Sequence, residues 1–480
     1  PLYEWPPHAY TLCMNDRISE LIRFIYADEA ADALSRVSTL LERYRRRQQQ
    51  DVAEDAGPHE SNAPGEAGEP SQNRVPDAVI ISYGDSVVAE DEAPLRTLGR
   101  FIDEQLEGLV DGLHVLPFQP YSSDDGFSVI DYREVREDLG DWADMEALAT
   151  EYVVMADLVL NHCSQHSRWF QGFLSGQEPY QRYFIEVPED ADTSQVVRPR
   201  ALPLLHEYET MDPRRSERLE AGLPSTVNVW TTFSRDQVDL NFAEPAVLEE
   251  MLDVFLGYLH RGIRIIRLDA IAYLWKELGT SCIHHPKTHA MVKLFRAVID
   301  ELYPGAILIT ETNVPHQENI SYFGSVEGAR ADESPEAHMV YNFSLPPLTL
   351  DAFLRGDAGH LTSWAQQLAQ PAPGKYFFNF CASHDGIGLL PARALLSGDE
   401  LSSMMATVEQ RGGRISYKST PDGDIPYEMN INYLSAICEP ALPDTQRARV
   451  FLASQSIMLV LAGVAGIYIH SALGSQNWEE

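Results

Sequence analysis

Ile263–Asp269 reads IRIIRLD, a short run rich in β-branched residues that closes on an acid. It is long enough for one buried strand and too short for a helix. Seven further runs share its character: DAVIISYGD (77–85), GLHVLPF (112–118), YVVMADLVL (152–160), AILITE (306–311), HMVYNF (338–343), YFFNFCASHD (376–385) and AGIYIHS (465–471). Amphipathic stretches separate them. Eight strands alternating with helices predict an α/β fold, a (β/α)8 TIM barrel.

Outward from these runs, the interval between the third and the fourth is far longer than the others, and Pro188 to Arg235 is loop-like and charged. It predicts a subdomain, residues 163–240, inserted after strand 3. The barrel's first part then covers 76–162 and its remainder 241–480, with a long loop near 405–433. At the N-terminal end, Ile18, Leu21, Ile22 and Ile25 recur at helical spacing and lead to a basic end at Arg43 to Arg47. That pattern predicts a helical segment over 1–46. Gln48 to Arg74 carries Glu, Gly, Pro, Ser, Asn and Gln with almost nothing apolar, so 47–75 reads as a disordered acidic linker and the folded body starts near Pro76. The apolar run Val450 to His470 is interrupted by Ser454, Gln455, Ser456, Gly463 and Gly466, which favours a buried helix and a buried strand over a membrane span.

The chain has 480 residues, 44% of them apolar, enough for one large barrel with an insertion. Its 72 acidic and 36 basic residues give a formal net charge of -36, which argues against a nucleic-acid partner. So acidic a surface fits either a salt-adapted host or plain solubility. Five scattered cysteines without C-x-x-C spacing (Cys13, Cys163, Cys282, Cys381, Cys438) indicate no disulfide framework and no zinc site, and they fit a reducing, cytoplasmic setting. No signal peptide is legible, and no membrane partner is expected. With no dinucleotide fingerprint, P-loop or metal-ligand cluster, neither a cofactor nor a metal is implied. Nothing in the sequence sets an oligomeric state.

Asp157, Asp269, Glu311 and Asp385 lie at or just past the ends of four runs, and in such a barrel all strand ends meet at one face. Taken singly, an acid there is an ordinary helix cap or a solvated loop residue. Together, converging carboxylates raise one another's pKa, which keeps one ionised as nucleophile and another protonated as proton donor. Glycosyl transfer through a covalent intermediate needs that division. Arg267, two residues before Asp269, points to the same face of the strand and is placed to hold the nucleophile ionised. His162 and His384 are placed to donate to sugar hydroxyls.

DLVLNH (157–162), RIIRLDAIAY (264–273), ILITETNVPH (307–316) and ASHDGIG (382–388) resemble the four signature regions of the α-amylase family, glycoside hydrolase family 13. LPFQPYSSDDGFSVIDY (116–132), LWKELGTSCIH (274–284) and ENISYFG (318–324) resemble its sucrose phosphorylase branch. The resemblance implies Asp269 as nucleophile, Glu311 as acid/base and Asp385 as transition-state stabiliser. It places Asp124, Phe127, His162, Arg267 and His384 around the donor glucose. VVRPRALP resembles the branch's Arg-Pro-Arg loop and implies Arg198 and Arg200 for phosphate, with Tyr273 near that position.

Thr312-Asn313 and Tyr427-Glu428 stand where sucrose phosphorylases show Val-His and Tyr-Gln, so fructose is not the implied acceptor. ETNVPH, SCIHHPKTH and TPDGDIPYEMNINY are more similar to glucosylglycerate and sucrose 6'-phosphate phosphorylases. The loop near 405–433, with Tyr427 and Glu428, would then face the acceptor, and Lys418, Arg411 and Arg414 lie within the same span, placed to meet a carboxylate or a phosphate or simply exposed as surface charges. The acidic balance tips the expectation toward glucosylglycerate. The expected reaction is retaining transfer of glucose from that α-glucoside to inorganic phosphate, giving α-glucose 1-phosphate. The alternatives are a phosphorylase of sucrose 6'-phosphate or sucrose, a glucosidase or transglucosylase, and a catalytically silent barrel serving as a binding module. The resemblance also implies a C-terminal β domain, expected to be missing from this chain.

Overall fold

The computed structural model describes residues 15–55, 75–215, 225–324, 334–420 and 423–477. Eight parallel strands close a barrel in sequential order: β1 (Ala78–Ser82), β2 (Gly112–Val115), β3 (Val153–Leu158), β4 (Ile265–Leu268), β5 (Ile307–Thr310), β6 (Met339–Tyr341), β7 (Tyr376–Phe380) and β8 (Val464–Tyr468). Ala78 pairs with Ala465 and Ile80 with Ile467 where β8 returns to β1. β2, β3, β4 and β5 are buried at every position, because side chains on one face fill the barrel and those on the other meet the helices. That double burial is why these runs are continuously apolar instead of alternating.

The helices around the barrel start where their sequences say they should. Proline opens Pro94–Gln105, Pro245–His260 and Pro286–Leu302, where its missing N–H leaves nothing unbonded. Asp141 and Asp144 form a reciprocal cap at the start of Trp142–Glu151. Between β3 and Pro245 the chain makes two small antiparallel pairs, His162–Ser164 with Gln237–Asp239 and Leu205–Thr210 with Ser225–Trp230. Val187, Val196, Leu204, Trp230 and Cys282 form a separate small core there.

Three sequence readings are corrected. The N-terminal segment is two helices, α1 (Asp16–Tyr26) and α2 (Ala30–Asp55), and α2 runs past Gln48, where composition places a linker. Residues 56–74 lie outside the described ones. Ile18, Leu21, Ile22, Ile25, Val37, Leu40, Leu41 and Tyr44 join the barrel's own hydrophobic cluster, so the folded body includes these helices and does not start near Pro76. The stretch near 405–433 is not a loop: the end of helix Gly398–Gln410 is followed by a hairpin, Arg414–Thr420 with Gly423–Asn430, extended by Ile387–Gly388. Finally, helix Asp444–Val460 buries Phe451, Ser454 and Met458 but exposes Leu452, Leu459 and Val460, so it is only half-buried. No helix among the described residues is long and apolar enough to cross a membrane.

Candidate active site

At the barrel's C-terminal face a cavity of about 470 Å³ is lined by Asp124, Asp125, Phe127, His162, Arg200, Arg267, Asp269, Glu311, His384, Asp385, Tyr427 and Glu428, among others. Asp269 directly follows β4 and Glu311 directly follows β5, so adjacent strands present the two carboxyls side by side. Asp385 arrives on the turn after β7. Strand order thus converts three acids far apart in sequence into one cluster.

Arg267 lies at the centre of the floor, fully buried. Its Nη1 donates to Asp157 at 2.5 Å and to Asp269 at 2.7 Å, and Nη2 lies 3.9 Å from Asp385. His114 Nε2 approaches the other oxygen of Asp157 at 2.6 Å. Burial alone would raise Asp157, but His114 and Arg267 outweigh it and hold that carboxyl well below the usual range. Burial also pushes Asp269 and Glu311 up; Glu311 raises Asp269 further, and Asp385 raises Glu311 further. Arg267 bonds Asp269 directly and has no such bond to Glu311, so the proton the pair retains belongs on Glu311. Removing Arg267 would leave Asp269 without its cation and Asp157 with His114 alone, a loss of about 3–5 kcal/mol.

Backbone strain sharpens this arrangement. Ala270 adopts a left-handed φ of 46° immediately after Asp269, and its N–H donates to Glu311 Oε2 at 3.0 Å. For alanine that conformation costs about 1–3 kcal/mol, and here it ties the ends of β4 and β5 together. Asp124 and Asp125 are left-handed as well, at 56° and 49°, a conformation aspartate tolerates better than most residues.

On one wall, the Phe127 ring stacks on His384 at 5.0 Å and 7° between planes, and Arg267 lies over the same Phe127 ring at 5.7 Å. His162 Nε2 meets the Phe127 carbonyl at 3.0 Å, and burial pulls this imidazole down to about 4, so it is neutral. Burial likewise lowers His384, whose Nε2 lies 3.3 Å from Asp385. From the inserted segment, Arg200 Nη2 donates to both oxygens of Asp124, at 3.0 and 3.2 Å. Gln237 donates to Asp124 at 2.8 Å and reaches His162 at 3.1 Å.

Two predicted residues fall elsewhere. Arg198 turns away, its Nη1 donating to the Leu202 carbonyl at 2.8 Å, and it lines a separate cavity with Thr193 and Thr420. Tyr273 is buried with its ring edge-on to Phe233 at 5.7 Å, behind the cavity wall instead of on it. Sequence reasoning passed over Tyr83, Gln237 and Phe343 on the wall, and Asn313 was noted only as a departure. It also passed over Lys276, buried beneath the insertion, where it donates to Asn161 at 2.6 Å and pairs with Asp239 at 2.8 Å. No group of His, Cys, Asp and Glu among the described residues is arranged to hold a metal ion.

Residues 106–369 match the model of the alpha amylase catalytic domain, and the chain belongs to the α-amylase family. Among curated proteins it is 53% identical over 470 residues to a glucosylglycerate phosphorylase of Spirochaeta thermophila, covering 97% of this chain and 74% of that one. It is 44% identical over 402 residues to a glucosylglycerate phosphorylase of Escherichia coli, covering 84% and 69%. Among solved structures it is similar to a sucrose 6F-phosphate phosphorylase from Thermoanaerobacter thermosaccharolyticum, with a TM-score of 0.70 and 25% identity over 84% of this chain and 78% of the other.

Proposed function

We propose that this chain is a retaining α-glucoside phosphorylase that transfers glucose from glucosylglycerate to inorganic phosphate. The observation that carries the reading is Arg200: it brings a half-exposed guanidinium to a cavity whose wall also carries Asp124, Asp125, Asp269, Glu311, Asp385 and Glu428. Hydrolysis has no use for a cation there, whereas a phosphate nucleophile does. The 53% identity to a glucosylglycerate phosphorylase supports glycerate as the leaving group.

In this mechanism the Asp269 carboxylate attacks C1 of the glucosyl unit while the C1–O bond to glycerate breaks and Glu311 gives its proton to the departing oxygen. Asp385 faces the sugar as positive charge develops at C1. Glycerate leaves, phosphate enters, and Glu311, now ionised, takes a proton from phosphate as its oxygen attacks C1. The C1–O bond to Asp269 breaks and α-glucose 1-phosphate is released with net retention. All four described cysteines are free and buried, which supports a cytoplasmic setting.

The test is release of glucose 1-phosphate from glucosylglycerate, sucrose 6'-phosphate, glucosylglycerol and sucrose, each with and without phosphate. Phosphate-dependent product from glucosylglycerate is expected. Free glucose at the same rate with or without phosphate would make the protein a hydrolase.

A further inference from the structure

We infer that a second cavity, on the outer flank of the barrel, is a binding site for a small organic phosphate that carries two phosphate groups. The cavity measures about 750 Å³ and lies among α2 and helices Trp142–Glu151 and Pro245–His260. None of its lining residues lines the catalytic cavity, so the site is independent of the reaction proposed above. Its size is that of a metabolite pocket and exceeds the needs of a single ion.

The charge of this wall runs against that of the chain. Over the sequence, acidic residues outnumber basic ones by 72 to 36. Here Arg43, Arg47, Arg133 and Arg261, with His260, stand against Asp51, Glu146 and Asp253. An anion repelled by most of the acidic surface meets a local excess of cations.

The basic run Arg43 to Arg47 supplies the decisive pair. Arg45 turns to Glu301 and Arg46 to Glu42, while Arg43 and Arg47, one helical turn apart, both lie over the Tyr44 ring, 5.6 and 5.1 Å from its centre. The His260 ring meets the same tyrosine edge-on at 6.1 Å. Like charges at this spacing on a helix repel. The helix dipole does not compensate, since it acts within the last turn and Arg47 stands about two turns before the end of α2. Asp253 answers Arg43, but it also serves Arg133 and the Tyr44 hydroxyl. Asp51, one turn beyond Arg47, lies 3.7 Å from His260 instead. Arg47 therefore meets no carboxylate among the described residues, and the docking of α2 does not account for it.

A phosphate group does account for it, because its oxygens accept from two guanidinium forks at once. Arg261 gives the wall a further cation from a different element. Its guanidinium lies over the Trp142 ring at 4.6 Å and pairs with Glu146 at 2.5 Å, a half-exposed pair that leaves N–H donors for a second phosphate.

ADP and fructose 1,6-bisphosphate are the probes, each titrated calorimetrically into the full chain in phosphate-free buffer at about 0.1 M salt, where surface charges still act over about 10 Å. Saturable binding of at least one is expected, and which one binds tells a nucleotide from a sugar phosphate. Arg47→Gln should weaken that binding by about 10- to 100-fold, the range for losing a charge-assisted hydrogen bond, and Arg47→Glu should abolish it. Arg47 is exposed, so both variants should fold, and unfolding midpoints close to wild type check this. Arg200→Gln, in the catalytic cavity, should bind the probe as the wild type does. Binding of neither probe, or equal affinity in Arg47→Glu, would overturn the inference. Loss of binding in Arg200→Gln would place the ligand in the catalytic cavity and overturn it as well.

Discussion

Asp269 and Glu311 are similar acids on neighbouring strands, and Arg267 separates their roles by bonding one and not the other. Glu311→Gln keeps shape and hydrogen bonding but cannot transfer a proton, so kcat should fall by about 10²–10⁴-fold. A donor with an activated leaving group should recover most of that loss in the first half-reaction, which pre-steady-state kinetics would detect; equal losses on both donors would argue against the acid role. Glu428 gives a second residue-level prediction. Burial, then Asp385 and Glu311, push its carboxyl from 4.5 up to about 8. A raised folded-state pKa means the folded form binds a proton the unfolded form has lost, so this stability is full below about 4.5 and drains away as pH rises through about 8. Glu428→Gln, locked in the neutral form, should therefore gain thermal midpoint over wild type as pH is raised from 5 to 8. A constant difference across that range would place Glu428 as an ionised group. The acids were legible in sequence because each ends an apolar run, where a carboxyl has nothing to do in a core. Gln237, His114 and Lys276 were not, because isolated polar residues acquire their roles only from partners distant in sequence, such as Asp124, Asp157 and Asp239.

Eight apolar runs give eight strands because burial on both faces leaves no other use for a short, continuous β-branched stretch. The hairpin Arg414–Asn430 was less readable: its residues are mixed in polarity, since it lines the cavity rim and sends only Met429, with Ile415 beside it, into a hydrophobic core. Its position is pinned by glycine. A Cβ on Gly386 would come within 2.6 Å of Glu428 Cγ and 2.7 Å of the Met429 carbonyl oxygen, a backbone atom that cannot step aside alone. Gly386→Ala should therefore push the hairpin off the rim. The expected result is a KM for glucosylglycerate raised several-fold with a smaller effect on stability, measured by parallel kinetics and melting; a variant that melts early at normal KM would make the glycine purely structural. Helix α2 was misread in extent because one apolar stripe suffices to dock it, and beyond Arg47 its contacts are polar: Gln48 donates to the Leu302 carbonyl at 2.7 Å and Asp51 lies 3.7 Å from His260. Leu41 is fully buried in that stripe, so Leu41→Ala should cost about 2–5 kcal/mol in a denaturant titration while leaving KM for glucosylglycerate as it is.

At the scale of the whole molecule, charge opposes itself. The chain carries 36 more acidic than basic residues, and few of the excess carboxylates have a cation to meet. Repulsion among them favours the expanded, unfolded chain. The arginines that do exist are concentrated where elements join. Arg17 meets Asp300, Arg36 meets Glu249, Arg43 meets Asp253 and Arg45 meets Glu301, so four ion pairs fasten α1 and α2 to helices Pro245–His260 and Pro286–Leu302. Salt acts on both terms in opposite directions, weakening these pairs and relieving the repulsion. Partly exposed pairs are worth only about 0–1 kcal/mol each, so the four together are a small stake. The repulsion involves many unpaired charges, and it is screened as the Debye length shrinks from about 10 Å at 0.1 M to about 3 Å at 1 M. Relief should win: the unfolding midpoint is expected to rise with sodium chloride across that range, by several degrees. Arg36→Gln and Arg43→Gln should steepen the rise, because they increase the charge imbalance and remove contacts that salt weakens. A midpoint that falls with salt would mean that the ion pairs at α1 and α2, and not the acidic shell, govern how this barrel responds to its solvent.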